Sequence, residues 1–305
     1  MIRPVISSDL ATREIRAVTY LGLAINIVLS VVKSLIGLIT GSMSLLADGI
    51  HSISDMVTDV VVLLGVRLSS KKPDHEHPYG HGRMETFSAA IVALVLVLVG
   101  GLMVYKACMG IARQNAHPSE RSSTSISILI AAVVSVIAKE ILYHITKRVA
   151  VKTGSSALYA NAWHHRSDAL SSIAVIVGYI ATALGYDHGD HLAAIAVGLM
   201  IIMVAVSIVA GCLHEFAERA VDAGTLSTIE EVLASEDRIR QWHKLRTRSA
   251  GREIFMDLHI LVDPALNISE AHEISDALEK TMQDRISRPV NITVHIEPDK
   301  PELRR

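Results

Sequence analysis

The sequence predicts an all-α six-helix transmembrane bundle followed by a C-terminal cytoplasmic α/β domain, and three observations predict it. Half of the 305 residues are hydrophobic and the mean hydropathy is +0.38, which soluble domains of this size rarely reach. The charges are segregated: residues 17 to 213 are mostly long apolar runs, whereas 214 to 305 alternate charged and apolar positions as an ordinary folded domain does. Six of the apolar runs are long enough to cross about 30 Å of hydrocarbon at 1.5 Å per residue.

These spans fall at about 17–39, 43–69, 86–110, 124–149, 157–183 and 190–213. A cytoplasmic segment, 1–16, precedes them; it carries Asp9, Glu14 and three arginines without an apolar core, so no removable signal peptide is expected. The joins Thr40-Gly41-Ser42 and Gly185-Tyr186-Asp187-His188-Gly189 lack Lys and Arg. The join at 70–85 carries Lys71, Lys72 and Arg83, and that at 147–156 carries Lys147, Arg148 and Lys152. Positive charge gathers on the cytoplasmic face, which puts both termini in the cytoplasm; Arg113 and Arg121 dissent mildly. Cys108 and Cys212 lie in apolar segments with no partner pattern and read as structural thiols.

The tail, 214–305, reads as helix, strand, strand, helix, strand. Leu226 to Ala234 is a short amphipathic helix, and Trp242 to Thr247 and Ile254 to Val262 are strands about a Ser249-Ala250-Gly251 turn. A helix from Ser269, its expected N-cap, to Asp284 repeats Ile274, Leu278 and Met282 on one face. Val290 to Ile296 alternates apolar and polar residues as a last strand. The order fits an open-faced α/β sandwich.

The chemistry concentrates in two intramembrane pairs, His51 with Asp55 and His164 with Asp168. Residues four apart share a helix face, and a carboxylate at the bilayer centre costs roughly 3 kcal/mol, so each pair asks for a compensating ligand. With helix 2 running inward and helix 5 outward both pairs reach the middle third of the bilayer, where two nitrogens and two oxygens suit a tetrahedral divalent metal. Asp48 and Asp59 extend the helix 2 pair into a polar stripe that reads as an ion path. Asn161, His165, Ser167 and Ser171 offer supporting hydrogen bonds on helix 5, with His165 one position off the ligand face. Asp74, His77 and His81 follow helix 2 in a donor-rich loop, with His75 and Glu76 as competing donors. In the tail, His243, His259, His272, His295 and Glu297 are far apart in sequence, although the strands bring some of them into neighbouring positions.

Three segments carry a resemblance: Leu45-Leu46-Ala47-Asp48-Gly49-Ile50-His51-Ser52-Ile53-Ser54-Asp55, His77-Pro78-Tyr79-Gly80-His81-Gly82-Arg83-Met84-Glu85, and Ala160-Asn161-Ala162-Trp163-His164-His165-Arg166-Ser167-Asp168. Together with the six-helix order and the tail, including His243-Lys244-Leu245-Arg246-Thr247-Arg248, they resemble the cation diffusion facilitator family, and within it the bacterial zinc exporters. The resemblance implies a homodimeric zinc/proton antiporter in the bacterial inner membrane, with a cytoplasmic tail of metallochaperone-like, ferredoxin-like fold that binds metal at the dimer interface. By position it assigns His51, Asp55, His164 and Asp168 to the transport site and Asp74, His77 and His81 to the loop site. His243, His259, His272, His295 and Glu297 fall to the tail site, and Arg83 to a pairing with Glu218 that holds the two protomers' bundles. The chain departs from those exporters in having His51 where they have aspartate and Glu297 where they have Asp. Nitrogen in place of oxygen favours zinc over cadmium or manganese.

Protons and metal compete for the same side chains, which supplies the coupling of an antiporter. Export of iron, manganese, cobalt or cadmium is the alternative within the same reading. An intramembrane metalloenzyme is disfavoured because no His-Glu-x-x-His motif is present, and a non-transporting metal sensor or scaffold because the transport ligands are intact. No nucleic-acid partner is expected.

Overall fold

The computed structural model describes the backbone of residues 8–40, 43–116, 126–183 and 189–304; side chains at 41–55, 113–129, 181–190 and some scattered helical positions fall outside it. Two compact units result, Arg13–Cys212 and Leu213–Arg305, the second including the described start of the chain as far as Thr12.

Among the described residues the first unit is built on six long helices: α1 (Ser8–Thr40), α2 (Met43–Ser69), α3 (Arg83–Ala116), α4 (Ile126–Thr153), α5 (Ser156–Ala183) and α6 (Gly189–Phe216). By length and apolarity three segments within them can cross a membrane, Leu10–Val32, Arg83–Ala112 and His191–Phe216. Among the helices, α5 packs against α2, α3 and α4. Arg166 lies over the Tyr143 ring at 4.4 Å, adding a cation–π contact between α5 and α4. Where α3 meets α6, glycines face each other: a Cβ on Gly100 would stand 2.9 Å from the Gly198 carbonyl oxygen.

Several helix ends differ from expectation. α1 is already helical at Ser8, ahead of the span drawn from about 17, and α3 at Arg83, ahead of the span drawn from about 86. Hydropathy measures the length of chain that lipid tolerates, whereas the helix continues as long as backbone bonding and side-chain burial support it. Ala11 and Ile15 are buried, so this early segment of α1 has an apolar face of its own.

The second unit holds α7 (Ala223–Ser235), β1 (Gln241–Ala250), β2 (Glu253–Val262), α8 (Ile268–Arg285) and β3 (Val290–Pro298). The sheet order is β1-β2-β3, with β1 antiparallel and β3 parallel to β2, so α8 is the crossover between parallel neighbours. Ile254, Met256, Leu258 and Ile260 alternate onto one face and join Ile229, Val232 and Leu233 of α7 and Ile274, Leu278 and Met282 of α8 in a single core. The α8 cap is Asn267, not Ser269: Asn267 Oδ1 accepts the Glu270 N–H, and Glu270 Oε2 accepts the Asn267 N–H. This reciprocal box satisfies two donors at once, which a cap at Ser269 would forgo.

A bulge interrupts β1. Trp242 and Leu245 both pack on the core although three residues apart, which strict alternation forbids. The register accordingly shifts between His243, opposite His259, and Arg246, opposite Asp257, with Lys244 at φ 52°. The extra residue lets both apolar side chains face inward.

Candidate metal centres

His243, His259 and His295 occupy one rung of the sheet, since His243 pairs with His259 across β1–β2 and His259 with His295 across β2–β3. The bulge immediately after His243 keeps that side chain in line with its neighbours. The rings follow one another, with centroids 5.1 Å apart for His243 and His259 and 4.4 Å for His259 and His295. Glu297, two residues further along β3, completes the cluster: His259 Nδ1 is 2.8 Å from Oε1, His243 Nε2 3.2 Å from Oε2, and His295 Nε2 3.4 Å from Oε1.

Ligand atoms of His243, His259 and Glu297 all lie within 4.8 Å of one another. His243 Nδ1 and Glu297 Oε2 are buried and make no hydrogen bond, so the short His243–Glu297 approach lacks hydrogen-bond geometry. Three ligand groups converging on a common point, with His243 Nδ1 and Glu297 Oε2 left unsatisfied, fit a divalent metal, which would staple the three strands together. The His259 hydrogen bond holds the Glu297 carboxyl below the ordinary glutamate range, keeping it a ligand-competent anion. His272 stands apart on α8, where its Nε2 is 3.6 Å from Asp276 and its side chain is exposed.

The loop between α2 and α3 gathers Asp74, His77 and His81, again within 4.8 Å. Asp74 Oδ1 accepts the backbone N–H of His77 at 2.7 Å and of Glu76 at 3.1 Å, while His77 Nδ1 stands 3.1 Å away. Asp74 Oδ2 lies 3.4 Å from His81 Nε2. The His77 backbone bond is the main reason that the Asp74 carboxyl is held below its ordinary range. Gly80 at φ 78° turns the chain so that His81 folds back toward Asp74, a conformation that glycine adopts without strain. His81 Nδ1 is buried without a hydrogen-bond partner. His75 and Glu76 are not in this group.

Within the helical unit, the side chains of His51, Asp55 and Asp48 lie outside the described residues, so the four-ligand arrangement expected there is described only through its α5 half. His164 is buried and its Nε2 stands 3.9 Å from Asp168 Oδ2. A residue that sequence reasoning missed completes this half: Lys139 of α4, its side chain 4% exposed, donates to Asp168 Oδ2 at 2.7 Å. A lysine inside an apolar run was the available signal, because an ammonium at that depth requires a partner. Asp59 is fully buried and accepts Asn26 Nδ2 of α1 at 2.9 Å and Asn161 Nδ2 of α5 at 2.7 Å. His165, also buried, is turned to Asp59 with Nε2 3.7 Å from Oδ1, away from the ion pair of Asp168. Within the second unit Glu218 accepts from Arg248 at 3.0 Å.

The sequence profile of the cation efflux transmembrane domain matches residues 19–215, and that of the cation efflux protein cytoplasmic domain matches 221–299. Metal tolerance protein C1 of Arabidopsis thaliana is 35% identical over 288 residues, 91% of this chain but only 61% of that longer protein. The manganese efflux system protein MneP of Bacillus subtilis is 28% identical over 290 residues, 93% of this chain and 96% of that one. Among solved structures, the metal-bound C-terminal domain of the CzcD transporter from Thermotoga maritima covers 25% of this chain and 87% of its own, at 28% identity and a TM-score of 0.24.

Proposed function

The chain belongs to the cation diffusion facilitator family of divalent metal cation transporters, and from that premise we propose that it exports zinc from the cytoplasm in exchange for protons. One observation carries the reading: a buried histidine and a half-buried aspartate four residues apart on a helix packed against α2, with the aspartate neutralised by an ammonium from α4. A carboxylate kept charged in that setting is suited to receive another cation.

In this reading α2, α4 and α5 complete six spans with α1, α3 and α6, and both termini lie in the cytoplasm. His51, Asp55, His164 and Asp168 form the transport site. Zinc enters only when the imidazoles are neutral and the carboxylates ionised, so on the far side protons returning to these groups release it. Lys139 takes part as a tethered cation: its ammonium must leave Asp168 Oδ2 when zinc arrives and can return when zinc departs. Rigid-body rocking of helix groups supplies alternating access. Asp74, His77 and His81 form a cytoplasmic loop site, and His243, His259 and Glu297, flanked by His295 and completed by His272 at the interface of a homodimer, form the tail site.

The second reading is manganese export, favoured by the likeness to a manganese efflux protein over nearly the whole chain. Flux into reconstituted vesicles, measured across a panel of divalent metals under an imposed pH gradient, tests both. Zinc is expected to move fastest, with opposing proton flow. Faster manganese flux would transfer the assignment to the second reading, and no flux with any metal would end it.

A further inference from the structure

The buried Asp59 has surroundings that helix packing alone leaves unexplained. Its two oxygens each accept a carboxamide N–H, from Asn26 and Asn161, and the imidazole of His165 completes the group. All four residues are at most 1% exposed. Yet Asn26 Oδ1, Asn161 Oδ1 and His165 Nδ1 make no hydrogen bond. A cage serving only to join α1, α2 and α5 would leave no such acceptors in a low-dielectric interior.

A carboxamide offers either its N–H or its oxygen to the same point after a half-turn about its last torsion. Asn26 and Asn161 as observed present N–H to a bare carboxylate. Rotated, they present two oxygens that, with an Asp59 oxygen and an imidazole nitrogen, make a three-oxygen, one-nitrogen donor set for a first-row divalent cation. Space is preserved by Gly22 of α1, where a Cβ would come 3.3 Å from His165 Nε2 and 3.6 Å from Asp59 Oδ1.

Placement gives the cage a role. Asp59 follows Asp55 by one turn on α2, and Asn161 precedes His164 by about one turn on α5, so on two antiparallel helices the displacement is in the same direction, by about 5 to 6 Å. With the topology proposed above, that direction is toward the cytoplasm. We propose that Asn26, Asp59, Asn161 and His165 form a second intramembrane cation site, an inner station that a divalent metal occupies before reaching His164 and Asp168. Its single negative charge and oxygen-rich donors hold zinc more weakly than two imidazoles and two carboxylates, as a station that must release its cargo onward requires.

The inference rests on the transport reading, and the test separates the two. In full-length protein purified in detergent and saturated with zinc, equilibrium dialysis counts bound ions per chain while vesicle flux is measured in parallel. Asp59→Asn is expected to lose one ion, Asp168→Asn to lose a different one and the double variant to lose both, with the Asp59→Asn flux needing about tenfold more zinc for half-maximal rate. For the unaltered chain, anomalous diffraction at the zinc edge is expected to show a peak between Asp59 and His165, a readout independent of any variant's folding. Zinc near Asp168 without zinc near Asp59, or an unchanged count in Asp59→Asn, overturns the inner site. An Asp59 peak alongside undiminished flux in Asp168→Asn overturns the transport reading instead.

Discussion

Lys139 changes the account of the proposed transport half-site most. Its ammonium and the Asp168 carboxylate, 2.7 Å apart, neutralise each other where either alone would be severely destabilising. Removing the cation by Lys139→Met is therefore expected to lower the stability of zinc-free protein by about 3 kcal/mol or more. Zinc should then stabilise the variant more than it stabilises the parent, since the metal no longer displaces an ammonium. Thermal unfolding of purified protein with and without zinc measures both effects, and an equal zinc-induced shift in parent and variant would refute the competition. His164 and Asp168 were legible in the sequence because their spacing repeats that of His51 and Asp55. Lys139 carried only the signal of a basic residue within an apolar run, and only the folded helix pair shows where its side chain goes. For the tail, Glu297→Gln keeps the shape but removes the anion; retention of metal by the His243, His259 and Glu297 cluster is expected to fall about 10- to 100-fold, read by competition with a chelating dye.

At the level of elements, periodicity located α7, α8 and all three tail strands, while their ends depended on local chemistry that a pattern of apolar residues does not contain. The α7 cap is an example. Asp222 Oδ1 accepts the Thr225 N–H at 3.0 Å and Oδ2 its hydroxyl at 2.7 Å, and these bonds, the hydroxyl first, hold the Asp222 carboxyl below its ordinary 3.8. A carboxyl depressed in the folded state contributes stability that is complete above its unfolded pKa and is lost as pH falls through the folded one. Asp222→Ala should thus cost about 1 kcal/mol at neutral pH, with the gap to the parent closing as the solution is acidified below about pH 4. Chemical denaturation at several pH values checks it. The bulge in β1 was hidden for another reason: the three-residue step from Trp242 to Leu245 becomes informative only once both are known to face the same core. The α3–α6 crossing offers a contrast. Gly198→Val should lower the yield of monodisperse protein, because a Cβ there meets the Gly100 carbonyl oxygen at 3.0 Å, whereas Gly101→Ala, with nothing within 4 Å, should be tolerated; size-exclusion profiles of the two report the difference.

Over the whole molecule, composition alone separated an apolar part from a charged one, because lipid and water select side chains over stretches much longer than a helix turn. It could not divide labour among the helices. Among the described residues, the buried Asp59, Lys139, His164 and His165 lie on α2, α4 and α5. Function at this scale is tested by replacing one acid from each of the paired helices. Either Asp55→Ala or Asp168→Ala is expected to abolish zinc uptake into inverted vesicles while the purified protein still elutes as a folded dimer. Full uptake in either variant would remove both residues from the transport path.

The shared rung of His243, His259 and His295 has a temporal consequence. Its members come from the first, middle and last strands, and Glu297 from the last. During synthesis the rung stays incomplete until β3 has emerged and docked beside β2, so the proposed metal capture at the tail would require all three strands. A ribosome-bound chain halted before Val290 should leave zinc in solution, and one halted well after Pro298 should withdraw it, making ion capture a clock for the maturation of this domain.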